Sequence, residues 1–168
     1  FPMKPTEIQF LNGDATELQQ WLDTGQKIIL THVCNDSGLW GAGFTKCLSQ
    51  KWEVAEICYR TWYANRSHND FRLGSIQLVV AQDDLWIANM IGQLGVKGVD
   101  THRAPIRYWA LRMCLATLAK EALELKATVH MPRIGSGLAG GCWSDIQEQI
   151  EQELCAKGIE VVVHTLDL

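Results

Sequence analysis

The sequence predicts an α/β protein, a three-layer α/β/α sandwich whose mixed central sheet carries helices on both faces. Three observations lead there. Strand-like and helix-like segments alternate along nearly all of the 168 residues, which is the pattern of a sheet covered by its own connections. Residues 27–33 (KIILTHV) form a nearly continuous apolar run rather than an alternating one, as strands buried on both faces do. The short link Gln82-Asp83-Asp84 joins two further strand candidates and favours a hairpin, so the sheet is mixed rather than purely parallel.

In chain order, Ile8, Phe10 and Leu11 make a first short strand that closes at Asn12-Gly13-Asp14. Residues 16–23 place Leu18, Trp21 and Leu22 at helical spacing before Thr24-Gly25 ends the helix. The strand over 27–33 follows, then a glycine-bearing loop over 34–43 (CNDSGLWGAG) and a helical pattern from Phe44 through Leu48. A further helix covers 53–64, with Val54, Ile57, Cys58, Thr61 and Trp62 on one side. The polar residues 65–70 read as a surface turn, and 75–81 with 85–91 as the hairpin. Residues 92–101 contain Gly92, Gly95 and Gly98 and read as a loop.

Pro105 suits the first turn of a helix over 105–125, with Ile106, Trp109, Ala110, Met113, Leu118 and Leu125 toward the core. The strand 128–131 then runs into a second glycine-rich loop (IGSGLAGGC). Ser144 with Gln147 predicts a capping box that opens the last helix, 143–156. Gly158 stops that helix, and 160–164 is the final strand. The whole reads as one domain over 3–168, with Phe1 and Pro2 taken as a vector-derived scar ahead of Met3.

Hydrophobic residues make up 47%, charged residues 20% and the formal net charge is -4, an ordinary globular composition. That charge argues against a broad basic face for nucleic acid, which needs clustered Lys and Arg to displace counterions. No apolar run approaches the roughly 20 residues of a membrane span, so no membrane partner is expected. The six cysteines lack a C-x-x-C pair or a Cys/His cluster, and read as free thiols in a reducing, cytoplasmic compartment with no zinc or other metal.

Gly135, Gly137 and Gly140 match G-x-G-x-x-G between a strand and a helix, so a dinucleotide fold has to be tested. In that fold the motif opens the sheet and several βα units follow it, whereas here one helix and one strand remain. No G-x-x-x-x-G-K-[ST] is present either. What is left is two glycine loops, each between a strand end and a helix start. Such loops offer backbone N–H groups and a helix dipole to an anion, and two of them could grip a diphosphate from both sides. The alternative for either loop alone is a tight turn.

Asn12-Gly13-Asp14, THVCNDSGLWGAGF from Thr31, ANMIGQ from Ala88, PIRY from Pro105 and HMPRIGSGLAGG from His130 occur in this order. Together they resemble a macrodomain, and more narrowly the bacterial branch related to the macrodomain of the amplified-in-liver-cancer chromatin remodeller. The resemblance implies the macrodomain fold and a site for ADP-ribose, with no cofactor. It implies hydrolysis of the distal-ribose linkage of ADP-ribosylated protein or nucleic acid. A non-catalytic reader and a deacylase or phosphatase of ADP-ribose derivatives are the alternatives, and a monomer is expected.

By the same resemblance Asp14 would accept from the adenine amino group, with the Ala15 amide beside it. Gly41, Ala42 and Gly43, leading into Phe44, would meet the distal ribose and diphosphate. Gly135, Ser136, Gly137, Leu138 and Ala139 would clasp the diphosphate from the other side. Trp40 and Trp143 flank the loops as ribose covers or packing anchors, and Arg133 braces the second loop or the diphosphate. For catalysis, relatives use either an asparagine in the first loop or a lysine with an aspartate. The second pair would fall near Gly92 and at Ala139 and is missing. For a hydrolase, Asn35, in the first loop, is expected to position a water or ribose hydroxyl, and Asp36 or a ligand phosphate oxygen to take the proton; the alternative for Asn35-Asp36-Ser37-Gly38 is a plain turn. Gly92 and Gln93 close the same end of the pocket, with His102, Arg103 and Arg107 as basic groups near the rim. His32 and His130 read as core histidines.

Overall fold

The computed structural model describes residues 4–41, 43–96, 104–137 and 139–166. Its strands are β1 (Gln9–Asn12), β2 (Ile28–Asn35), β3 (Ile76–Gln82), β4 (Leu85–Gln93), β5 (Thr128–Pro132) and β6 (Val161–Thr165). Its α-helices are α1 (Gln19–Leu22), α2 (Phe44–Lys51), α3 (Glu53–Ala64), α4 (Tyr108–Leu125) and α5 (Trp143–Glu153). The strands form one sheet in the order β1-β6-β5-β2-β4-β3. All neighbours are parallel except β3 and β4, which form the expected hairpin.

Side chains alternate across the sheet and so feed two cores. Ile29, Val129, Met131 and Val163 pack with Leu111, Leu115 and Leu118 of α4 and Ile146 and Ile150 of α5. Ile28, Leu30, Val79 and Ile87 pack on the other face with Leu18, Leu48 of α2 and Ala55 of α3. These are the two outer layers of an α/β/α sandwich. β2 lies between β4 and β5 and under helices on both faces, which is why it is buried along nearly its whole length and its sequence is predominantly apolar.

β2 is also where the chain changes face. After β2 it turns to α2 and α3 on one side of the sheet, and after its neighbour β5 it turns to α5 on the other. Parallel neighbours whose following loops diverge in this way leave a crevice at their carboxyl ends, the favoured ligand position of open α/β sheets. A bulge sharpens it: Cys34 lies opposite Ile91 but Asn35 opposite Gln93, so Gly92 is the extra residue. A Cβ on Gly92 would lie 3.2 Å from Val33 Cγ1.

Four expectations are corrected. Trp109 and Met113 do not face the core; they are 55% and 52% exposed, because α4 begins at Tyr108 and its buried stripe runs through Ala110, Leu111, Cys114, Leu115 and Leu118. Ile57, placed on the apolar side of α3, is exposed. Pro105 and Ile106 precede α4, and Ile106 forms a bridge with Gln93 instead. No capping box opens α5, since Cys142 is its N-cap, without a side-chain cap bond, and Ser144 Oγ sits 3.1 Å from Cys142 Sγ.

Candidate functional site

A cavity of about 460 Å³ occupies the crevice between β2 and β5. The loop after β2 contributes Asn35, Leu39, Trp40, Gly41 and Gly43, with Phe44 and Thr45 from the start of α2. The loop after β5 contributes Arg133, Ile134, Gly135, Gly137 and Ala139. His32, Val33, Cys34 and Pro132 come from the strand ends, and Gln93 and Val96 from the exit of β4. Arg133 is the only charged side chain among the described lining residues.

The first loop is shaped by Asn35, which is buried. Its Nδ2 donates to the Leu39 carbonyl at 2.6 Å, and its Oδ1 accepts from the N–H groups of Ser37 at 2.9 Å and Leu39 at 3.2 Å. The Tyr59 hydroxyl of α3 lies 2.8 Å from both the Oδ1 and the backbone carbonyl of Asn35. Desolvation keeps that phenol protonated, its pKa pushed up from the ordinary value. Trp40 donates from Nε1 to the Thr45 carbonyl at 3.0 Å and meets His32 edge-on at 5.4 Å.

The second loop is shaped by backbone. Gly141 N–H donates to the Gly135 carbonyl at 2.7 Å, Gly140 N–H to the Gly137 carbonyl at 2.9 Å and Ile106 N–H to the Ala139 carbonyl at 3.0 Å. Gly135 has φ 70°, and a Cβ there would stand 3.0 Å from both Ile106 Cδ1 and Ile146 Cδ1, so this position requires glycine. The N–H groups of Gly41, Gly43, Gly135 and Gly137 have no hydrogen-bond partner among the described residues.

His32 lines the cavity and was expected only as a core residue. Its Nε2 lies 2.6 Å from Asn89 Oδ1; Asn89 Nδ2 donates to the Ala55 carbonyl and to Gln77 Oε1, and Gln77 Nε2 donates to the Cys58 carbonyl. Both amides give their protons away from His32, so His32 must be the Nε2–H donor, leaving Nδ1 bare. Burial lowers its pKa to about 4 against the opposing Asn89 bond. His130 is fully buried and pairs with His164 at 2.9 Å between Nδ1 and Nε2. Desolvation, then the neighbouring His164, lowers the His130 pKa to about 3.

Several expected site residues stand elsewhere. Asp36 accepts from Gly95 N–H at 2.8 Å and borders a different cleft. Gly92 is taken up by the bulge, and its carbonyl accepts from Arg107 N–H. Ser136 and Trp143 are outside the lining: Ser136 Oγ donates to the Arg133 carbonyl, and Trp143 packs edge-on to Phe10. Arg133 braces this corner, donating from Nε to Thr165 Oγ1 at 3.1 Å with its guanidinium 5.2 Å over Trp143. Asp14 makes a local turn, its Oδ1 accepting from Thr16 N–H and hydroxyl at 2.8 Å. Ala15 is buried in the core, and neither Asp14 nor Ala15 lines the cavity. Ala42, Leu138, His102 and Arg103 lie outside the described residues. Missed lining residues such as Cys34, Leu39 and Thr45 lie in or beside the first loop, where the apolar-to-glycine transition was the available signal.

No protein-family profile matches the sequence. Among solved structures, a protein of unknown function from Bacteroides thetaiotaomicron is 44% identical with a TM-score of 0.87, covering 96% of this chain and 99% of that one. A macrodomain protein from Streptomyces coelicolor is 42% identical with a TM-score of 0.82, over 94% of this chain and 98% of its own. The chain belongs to the macrodomain family. At 15% identity this macrodomain shares its fold with Thermosipho africanus DarTG in complex with ADP-ribose, with a TM-score of 0.73 over 97% of this chain and 43% of that one. The ADP-ribose 1''-phosphate phosphatase of Candida albicans is 24% identical over 153 residues, 86% of this macrodomain and 92% of the phosphatase. The chromodomain-helicase-DNA-binding protein 1-like of Mus musculus is 28% identical over 167 residues, 95% of this macrodomain and 18% of that protein.

Proposed function

We propose that this macrodomain binds ADP-ribose across its two glycine loops and releases it from a group attached to the distal ribose. The observation that carries this reading is the set of unpartnered N–H groups at Gly41, Gly43, Gly135 and Gly137, which line one cavity from opposite sides. Backbone donors around a concave site suit a diphosphate, because they supply positive ends of dipoles with no side chain to move. Relatives support the ligand: one fold neighbour holds ADP-ribose, and one curated relative acts on its 1''-phosphate.

No carboxylate lines the cavity among the described residues. Asn35 spends its amide inside the loop, so its place in the proposal is to hold Leu39 and Trp40 against the distal ribose, as a positioning residue. In the reaction a water oxygen bonds to the anomeric carbon as the bond to the acceptor's oxygen or nitrogen breaks. The acceptor keeps the electron pair, and the proton passes from water to it by way of a ligand phosphate oxygen. Donors fixed around the diphosphate stabilise that charge movement without reorganising.

The absence of a lining carboxylate also favours a second reading, a reader without turnover. Calorimetry with ADP-ribose tests binding, and no heat at high micromolar ligand would sink both readings. Incubation with acidic-residue-, serine- and guanine-linked ADP-ribose and with the 1''-phosphate then separates them. Release from at least one linkage supports the hydrolase, phosphate release alone a phosphatase, and no release the reader.

A further inference from the structure

A second cleft of about 400 Å³ is lined by Asp36, Arg66, Phe71, Arg72, Leu73 and Trp109. It is one residue away from the first along the chain, since Asn35 lines the cavity and Asp36 lines the cleft. Trp109 is 55% exposed at the start of α4, and Met113, one turn later, is 52% exposed. Arg72 is exposed and has no ion pair or side-chain hydrogen bond among the described residues. The Arg66 guanidinium stacks 4.0 Å over the Tyr63 ring and donates from Nη1 to the Tyr63 carbonyl at 3.0 Å, which orders it before any ligand arrives. The one acid among the described lining residues, Asp36, already accepts from Gly95 N–H.

We propose that this cleft holds single-stranded nucleic acid next to the nucleotide that carries ADP-ribose, with a base on Trp109 and a backbone phosphate at Arg72 and Arg66. The inference rests on the reading of the main cavity, because it needs the distal ribose at the Asn35 end. An ADP-ribosylated acidic peptide would engage the arginines but leave the tryptophan plane idle. A nucleotide uses both, by stacking and by charge-assisted hydrogen bonds. The overall charge of -4 confines such binding to the cleft, so it involves few phosphates and a shallow salt dependence.

The test compares three probes by calorimetry on the full chain: ADP-ribose, ADP-ribose joined through its distal ribose by a non-hydrolysable link to a short single-stranded oligonucleotide, and the same joined to an acidic peptide. The oligonucleotide conjugate should bind about tenfold more tightly than ADP-ribose, the scale of one stacked base. Trp109→Ala and Arg72→Ala should each remove most of that gain and leave ADP-ribose affinity unchanged, which also shows that the variants fold. Equal affinity of conjugate and ADP-ribose would overturn the proposal. So would a matching gain for the peptide conjugate that the same variants abolish. Absence of heat with ADP-ribose itself is a separate failure, that of the main-cavity reading. In that event the unmodified oligonucleotide decides the cleft alone: quenching of tryptophan fluorescence that Trp109→Ala removes supports it, and no quenching ends it.

Discussion

The loop after β2 and the loop after β5 border the same cavity, yet the first is held by side chains and the second by backbone. In the first, the Asn35 amide, the Tyr59 hydroxyl and the Trp40 indole each replace a missing backbone partner. In the second, glycine carbonyls and N–H groups bond each other, and the loop closes tightly because Cβ atoms are absent. The two should therefore fail differently. The first is sensitive to loss of a polar atom, the second to gain of a carbon.

Acidification should strike both together, because each loop leaves a strand containing a buried neutral histidine. The folded pKa values of His32 and His130 lie below the unfolded value of about 6.5, so their contribution is complete above pH 6.5 and is lost as pH falls toward 4 and 3. By pH 5 each should have cost about 2 kcal/mol, read by urea unfolding at pH 7 and pH 5. A flat stability over that interval would contradict the burial of the pair.

Gly141→Ala comes next. The new Cβ would stand 2.5 Å from the Gly135 carbonyl oxygen and 2.8 Å from Ile146 Cδ1. Its backbone neighbour has no rotamer to escape into, so a loss of roughly 3 kcal/mol is expected in denaturant titration. Asn35→Ala should cost roughly 2 kcal/mol, since it removes the Oδ1 that accepts from the Ser37 and Leu39 N–H groups and the Nδ2 that donates to the Leu39 carbonyl. It should also weaken ADP-ribose binding in calorimetry, and full affinity would show that loop shape and ligand are uncoupled. Gly137 sharpens the contrast within the second loop, because a Cβ there meets nothing within 4 Å. Gly137→Ala should change stability by less than about 0.5 kcal/mol, whereas Gly137→Glu, equally well folded, should abolish binding by setting a carboxylate against the diphosphate.

The layers were readable because burial writes itself into the pattern: β2 is buried and predominantly apolar on both faces, and α3 spans 53–64 as its periodicity predicts. The two jaws of the cavity were readable because glycine runs between strand and helix leave few other uses. Side-chain direction was not. Asn35 and Asp36 looked like one catalytic pair, but consecutive residues at the end of a strand point opposite ways, and one lines the cavity while the other lines the cleft. Trp109 and Met113 fit an apolar stripe in composition, and only the actual start of α4 shows that the stripe begins at Ala110. The apparent capping box at Ser144 fails because the N-cap is Cys142, two residues earlier, which leaves Ser144 inside the helix.

The amide chain behind His32 turns this residue into a built-in reporter. With Asn89 and Gln77 committed as donors toward Ala55 and Cys58, the ring keeps one protonated and one bare nitrogen throughout the neutral range. Its two nitrogen resonances should therefore stay fixed through that range. Any displacement of them on adding a ligand at constant pH then records contact at the cavity floor, free of any contribution from protonation.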